Sequence, residues 1–178
     1  MILARHGQSQ FNVHFGATRT DPGIVDPILT ELGRVQALAI ADALMAAGDR
    51  PHVKRLITSP YRRALETAEI VATRLGVPVS VEPLVRERAA FTCDIGSDPA
   101  ELARRWPHLA FDHIEDRWWG AGEESETDLA ARCRAFRAAM AAREDWREVA
   151  VVSHWGFIRA LTGQPLPNGA WIAFDPTL

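Results

Sequence analysis

The sequence is poor in cysteine: its 178 residues hold two, Cys93 and Cys133, far apart and outside any metal-ligand spacing. That excludes a disulfide-built scaffold and a cysteine metal cluster, leaves room for one disulfide at most, and points to a reducing compartment, the cytoplasm. Long apolar runs are missing too. The most apolar stretch, ALAIADALMAAG, is interrupted by Asp42 and is far too short to span a bilayer. No basic segment followed by an apolar one marks a secretory signal. Nor is one sign of charge in excess. A net charge of −3, with acids and bases mixed along the chain, argues against a broad nucleic-acid-binding face and leaves a small cationic pocket possible. Repeats and low-complexity linkers are absent. With 47% hydrophobic and 24% charged residues, the expectation is one globular domain over residues 1–178.

What is present is an alternation of strands and helices. Met1 to Ala4 reads as a short apolar strand broken by Gly7, with a polar loop of Gln8, Ser9, Gln10 and Asn12 behind it. A loop rich in Gly, Pro and Asp follows from Gly16 to Ile28, and Thr30 then caps a helix that Gly48 ends. Val53 to Thr58 is a second strand. Ser59-Pro60 predicts a helix start, with a stripe of Leu65, Ala68, Ala72 and Leu75 and a stop at Gly76. Val77 to Val81 is a third strand. Beyond it come a short helix from Pro99 to Trp106 and an aromatic-rich loop ending in Trp118-Trp119. Ser125 and Asp128 form a capping-box pattern for a helix that buries Leu129, Cys133, Phe136 and Met140. A strand from Glu148 to Ser153, a helix from Phe157 to Thr162, a turn at Asn168-Gly169 and a last strand from Ala170 to Phe174 complete the chain. This order predicts an α/β fold with a mostly parallel sheet covered on both faces.

Three of these strands end in residues that carry chemistry. The first ends in Arg5-His6-Gly7, the second in Thr58-Ser59 with Arg62 and Arg63 in the next turn, and the late one in Ser153-His154-Trp155-Gly156. As parallel neighbours they bring two histidines and two or more arginines to the C-terminal rim, where open α/β sheets bind ligands. Grouped positive charge costs free energy unless an anion neutralises it. Phosphate suits a guanidinium fork, and the helix N-termini after Ser59 and Gly156 offer further N–H donors.

In this order the boxes resemble those of the histidine phosphatase superfamily, also called phosphoglycerate-mutase-like. RHGQSQFN is similar to its RHG box, DPILTELGRVQA to its D-x-x-L-T-x-x-G-x-x-Q-A segment, SPYRRALETA to its second arginine box and VVSHWG to its second histidine box. The resemblance covers nearly the whole chain and implies a three-layer α/β/α sandwich. It implies His6 as the nucleophile, its other ring nitrogen held protonated by a backbone carbonyl. Arg5, Arg63 (rather than Arg62) and His154 are then the ligands of the phosphoryl oxygens, with Asn12 a further phosphate contact. In that reading the arginines and an imidazolium fill the electrostatic role of a metal ion, so no metal and no cofactor is implied. Glu87, in a segment resembling the family's L-R-E, is the implied proton donor, with Asp94 as its substitute.

The family also holds mutases and inactive relatives. Lacking the mutases' extra segments, this chain is expected to be a phosphatase of a small-molecule phosphate ester or phosphopeptide. The alternatives are a phosphoglycerate-mutase-type phosphotransferase and a non-catalytic phospho-ligand binding module. Two departures stand out: Trp155 replaces a small residue, and Asn168-Gly169-Ala170-Trp171 stands where many members have an Asn followed by an acidic residue. Trp118, Trp119 and Trp155 are candidates either for a pocket wall or for packing under a loop. Arg86, Arg88, Arg104, Arg105 and Arg117 hint at an acidic leaving group, and His14, His52, His108 and His113 read as surface residues.

Overall fold

Five strands, β1 (Ile2–Arg5), β2 (Arg55–Thr58), β3 (Val79–Val81), β4 (Val149–Ser153) and β5 (Trp171–Ala173), form one sheet in the order β3-β2-β4-β1-β5. The computed structural model describes residues 1–46 and 53–178. β3, β2, β4 and β1 run parallel, and β5 closes the edge antiparallel to β1. Helices α1 (Gln10–Thr18), α2 (Glu31–Ala46), α3 (Arg62–Leu75), α4 (Pro99–Arg105), α5 (Glu126–Ala141) and α6 (Trp155–Thr162) complete it. Among the described residues no helix is long and apolar enough to cross a membrane.

The strands are apolar on both sides, and their alternation sorts the core into two halves. Leu3, Ile57, Val149 and Val151 face α5 and α6, packing on Phe136, Met140 and Phe157. Ile2, Ala4, Leu56, Ala150 and Val152 face α2 and α3, packing on Ile40, Ala64, Ala68 and Val71. The result is the expected α/β/α sandwich. A third cluster, under the segment between β3 and α5, gathers Tyr61, Leu65, Leu102, Trp106 and Trp118.

Several boundaries differ from those read in the sequence, each for a physical reason. The polar residues after Gly7 are not a loop: Ser9 caps α1, its hydroxyl accepting from the Asn12 amide at 3.4 Å while the Asn12 carbonyl accepts from the Ser9 amide at 2.9 Å. The loop from Gly16 therefore begins only after Thr18. α3 starts at Arg62 rather than at Ser59-Pro60, because Asp26, from a distant loop, accepts the Arg62 amide proton at 2.9 Å. β2 and β3 are each two residues shorter at their N-terminal ends than expected, and α6 begins at Trp155, directly after His154. Thr30 does accept from the Gly33 amide at 3.1 Å, as a cap should. Gly48, the expected end of that helix, and His52 lie outside the described residues.

One close approach locks the first loop onto α2. A Cβ at Gly7 would collide with the Gly33 backbone, and a Cβ at Gly33 with the Gln8 carbonyl oxygen. Gly33 sits inside a helix, where glycine costs stability, so this contact accounts for its presence. Gly33→Ala is expected to destabilise the fold by about 1–3 kcal/mol despite the better helix propensity, read as a lowered Tm. Unchanged or raised Tm would refute the close contact.

Candidate active site

The parallel register of β1 and β4 sets Arg5 opposite Ser153, so the next residues, His6 and His154, leave the sheet side by side. Their ring centroids are 5.0 Å apart. The His6 amide donates to the Ser153 carbonyl at 3.0 Å, continuing the ladder one step past the strand. Arg63 reaches the same rim from the first turn of α3, and it is buried where Arg62 is half-exposed. A cavity of about 630 Å³ is lined by Arg5, His6, Asn12, Arg63, Glu87 and Asp94 among others. His154 is not one of its lining residues: it is fully buried beside the His6 ring, with neither of its own ring nitrogens bonded inside the protein.

The loop that carries His6 is braced from four directions. Gly7 donates to the Thr67 hydroxyl at 3.1 Å, and that hydroxyl donates to the Arg63 carbonyl at 2.7 Å. Gln8 donates to the Gln36 carbonyl oxygen at 2.7 Å. Asn168 donates to the His6 carbonyl at 3.2 Å and the Asn12 carbonyl oxygen at 3.1 Å, so the C-terminal turn does reach the site. The Arg5 guanidinium donates to the Leu166 carbonyl at 2.8 Å.

The His6 ring has a defined tautomer. Nδ1 lies 2.6 Å from the Gly7 carbonyl oxygen. A carbonyl can only accept, so the proton sits on Nδ1 and the lone pair on Nε2. Burial, then the neighbouring charges of Arg63 and Arg5, push the His6 pKa well below 6.5. His154 is lowered in the same way by burial, Arg63, His6 and Arg5. These surroundings favour the neutral His154 ring over the expected imidazolium, a form that a phosphate dianion alongside would stabilise.

Charge in the cavity is balanced rather than uniformly positive. Arg63 donates to the Asp94 carboxylate at 3.0 Å and to the Cys93 carbonyl at 2.7 Å. Burial lowers the Arg5 pKa to about 10, with Glu87 acting to raise it and Arg63 to lower it further; it stays charged at neutral pH. Asp94 also accepts from the Ala90 and Phe91 amides at 3.1 Å each, so it sits as the fixed counter-ion of Arg63.

Glu87 sits against the N-terminus of α6. Its carboxyl accepts from the Gly156 amide at 3.1 Å, the Phe157 amide at 3.2 Å and the Arg88 amide at 2.8 Å. The amides expected to cradle an anion after Gly156 are therefore taken by this side chain. A Cβ at Gly156 would strike the carboxyl, which explains a glycine behind the bulky Trp155. Burial and the nearby Asp94 raise the Glu87 pKa above 4.5, against the opposing pull of its N–H donors and Arg63.

Two residues that hold this arrangement were not singled out in the sequence. Arg132, buried on α5, bonds both oxygens of Glu124 and donates to the carbonyls of Leu84 and Arg86 at 2.8 Å each, pinning the segment that presents Glu87. An arginine inside the Leu129–Cys133–Phe136 stripe was the available signal. Arg86 and Arg88 bind Glu124, Glu123 and Glu126, while Arg104 and Arg105 are exposed on α4. Trp118 and Trp119 pack in the third cluster, whereas Trp155 lines the cavity. His14, His108 and His113 are exposed.

Known proteins agree with this architecture. The family model of the histidine phosphatase superfamily (branch 1) matches residues 1–175. The chain is 34% identical over 184 residues to a glucosyl-3-phosphoglycerate phosphatase of Mycobacterium tuberculosis, covering 97% of this chain and 78% of that protein. A solved mycobacterial glucosyl-3-phosphoglycerate phosphatase in complex with VO3 superposes with a TM-score of 0.66 at 29% identity, over 96% of this chain and 88% of that one. The alpha-ribazole phosphatase of Shigella flexneri shares the fold, with a TM-score of 0.64 at 21% identity over 96% of this chain and 87% of that one. The chain belongs to the histidine phosphatase superfamily, and its enzyme class is that of the phosphoric monoester hydrolases.

Proposed function

We propose that this chain hydrolyses a small-molecule phosphate monoester without a metal ion, through a phosphohistidine on His6. The observation that carries the reading is the 2.6 Å bond between His6 Nδ1 and the Gly7 carbonyl, which leaves the Nε2 lone pair available. A neutral, buried imidazole is a nucleophile at neutral pH without needing a base of its own.

In the first step Nε2 attacks phosphorus in line as the bond to the leaving oxygen breaks, and Glu87 supplies that oxygen with its proton. In the second, water attacks the phosphohistidine, its proton passes to the Glu87 carboxylate, and phosphate leaves with neutral His6 restored. Arg5, Arg63 and His154 bind the three equatorial oxygens as charge builds on them. Asn12, whose carbonyl oxygen is saturated by Ser9 and Asn168, contributes its amide N–H. Asp94 holds Arg63 in place before the substrate arrives. Two free, buried thiols fit work in the reducing cytoplasm. The named activity of the mycobacterial relative puts glucosyl-3-phosphoglycerate on the substrate panel.

Wild-type protein base-quenched during turnover of an aryl phosphate with chelator present is expected to carry one phosphoryl group on His6, stable to base and lost on later acid treatment. His6→Ala should carry none and release no phosphate. Turnover by His6→Ala, or dependence on added metal, would refute the mechanism.

Glu87→Gln is expected to slow an alkyl phosphate ester by ~100-fold or more, while p-nitrophenyl phosphate, whose leaving group needs no proton, loses far less. The pH profile gives an independent check. With the His6 pKa depressed, activity survives acidification below 6.5; with Glu87 raised, it falls as pH rises through a value above 4.5. That alkaline fall should vanish for the alkyl ester in Glu87→Gln, and its persistence there would remove Glu87 as the acid.

A further inference from the structure

The part of the cavity away from His6 is walled by aromatic rings. Phe11 and Phe15, one turn apart on α1, stack with centroids 5.2 Å apart and an interplanar angle of 15°. Phe91 joins them from the loop after Glu87, with centroids 5.6 Å and 5.1 Å away. All three line the cavity that also holds Arg5 and His6, as does Trp155. Phe91 stays 43% exposed and Trp155 38% exposed. Phe91 is no frayed loop tip: its amide is held by Asp94 at 3.1 Å, the carboxylate that also pairs with Arg63.

Two of the arginines near this wall are already paired with carboxylates. Arg88, the cavity arginine next to Glu87, is neutralised by Glu123 and Glu126 and donates to the Glu124 carbonyl at 3.0 Å. Arg86 pairs with Glu124. Arg159 lies over the Trp155 ring at 5.0 Å, and Arg19, itself a lining residue of the cavity, lies over the Phe15 ring at 5.9 Å. Of the five arginines that hinted at an acidic leaving group, Arg86 and Arg88 are thus occupied by carboxylates of the chain itself.

Resting on the phosphatase reading above, we infer that the leaving group is aromatic or otherwise apolar, seated on Phe11, Phe15 and Phe91 with Trp155 opposite. A sugar's C–H face can rest on such rings while its hydroxyls stay in water, so a hexose gains contact there but no hydrogen bond that would select it. A flat apolar ring loses none and gains buried area and ring stacking. The substrate class is an aryl or arylalkyl phosphate monoester, and Phe15, Phe91 and Trp155 set the preference.

The test compares benzyl phosphate with ethyl phosphate, whose leaving alcohols are of similar acidity, so that the chemical step cancels. Benzyl phosphate is expected to exceed ethyl phosphate in kcat/KM by ~30-fold, and benzylphosphonate to inhibit more tightly than ethylphosphonate by a similar factor. Phe91→Ala and Phe15→Ala should each cut the benzyl-to-ethyl ratio by ~5-fold or more. Ratios near unity, ratios unmoved in both variants, or a higher kcat/KM for glucosyl-3-phosphoglycerate than for benzyl phosphate would overturn the inference. If no ester turns over at all, the phosphatase reading fails, and the two phosphonate affinities, measured by direct binding, still decide whether the aromatic wall selects its ligand.

Discussion

Everything in the site follows from the parallel pairing of β1 with β4. That register places Arg5 across from Ser153, so two adjacent strands release His6 and His154 at one height and in the same direction. No local propensity could bring residues so far apart in sequence to a ring separation of 5.0 Å. The pairing in turn needs both sheet faces covered, which the two helix layers provide through the alternating apolar residues of each strand.

On that frame the electrostatics are arranged before any ligand arrives. Two buried or half-buried guanidinium groups are matched by two carboxylates, and both imidazoles are kept neutral by burial and by the arginines beside them. An arginine held by Asp94 is already desolvated and oriented, so an incoming anion does not bear that cost. The N-terminus of α6, which could have bound the anion itself, instead holds Glu87, and the Arg132–Glu124 pair fixes the backbone beneath it. Breaking a buried pair of this kind typically costs about 3–5 kcal/mol, a large part of a domain's margin of roughly 5–15 kcal/mol, so the support is structural as well as chemical.

The same loop that carries Asp94 carries Phe91, and the same helix that begins with the Ser9 cap carries Phe11 and Phe15. Phosphate binding and leaving-group binding are thus built on shared elements. Substituting a ring of the wall need not disturb Arg5 or Arg63, because Phe91 is tied to Asp94 through its backbone amide rather than its ring.

Much of this was legible in the sequence because it is local. Short apolar runs ending in Arg-His-Gly and Ser-His-Trp-Gly mark strands and their rims, and the order of the four boxes identified the family without coordinates. The caps at Thr30 and Ser125 could also be read, since a capping side chain lies within three residues of its amide. The start of α3 could not, for its capping carboxylate, Asp26, comes from another loop. Nor could the pairing of Arg63 with Asp94, the capture of the α6 amides by Glu87, or the meeting of Phe91 with the rings of α1. Those contacts join residues 30 to 80 positions apart, and only the packed sheet and its helices determine which of the many possible partners come within reach. The sequence by itself determined the chemical groups and the rim they occupy; tertiary structure decided their protonation, their partners and the shape they present to a substrate, because burial and long-range contact are properties of the folded chain alone.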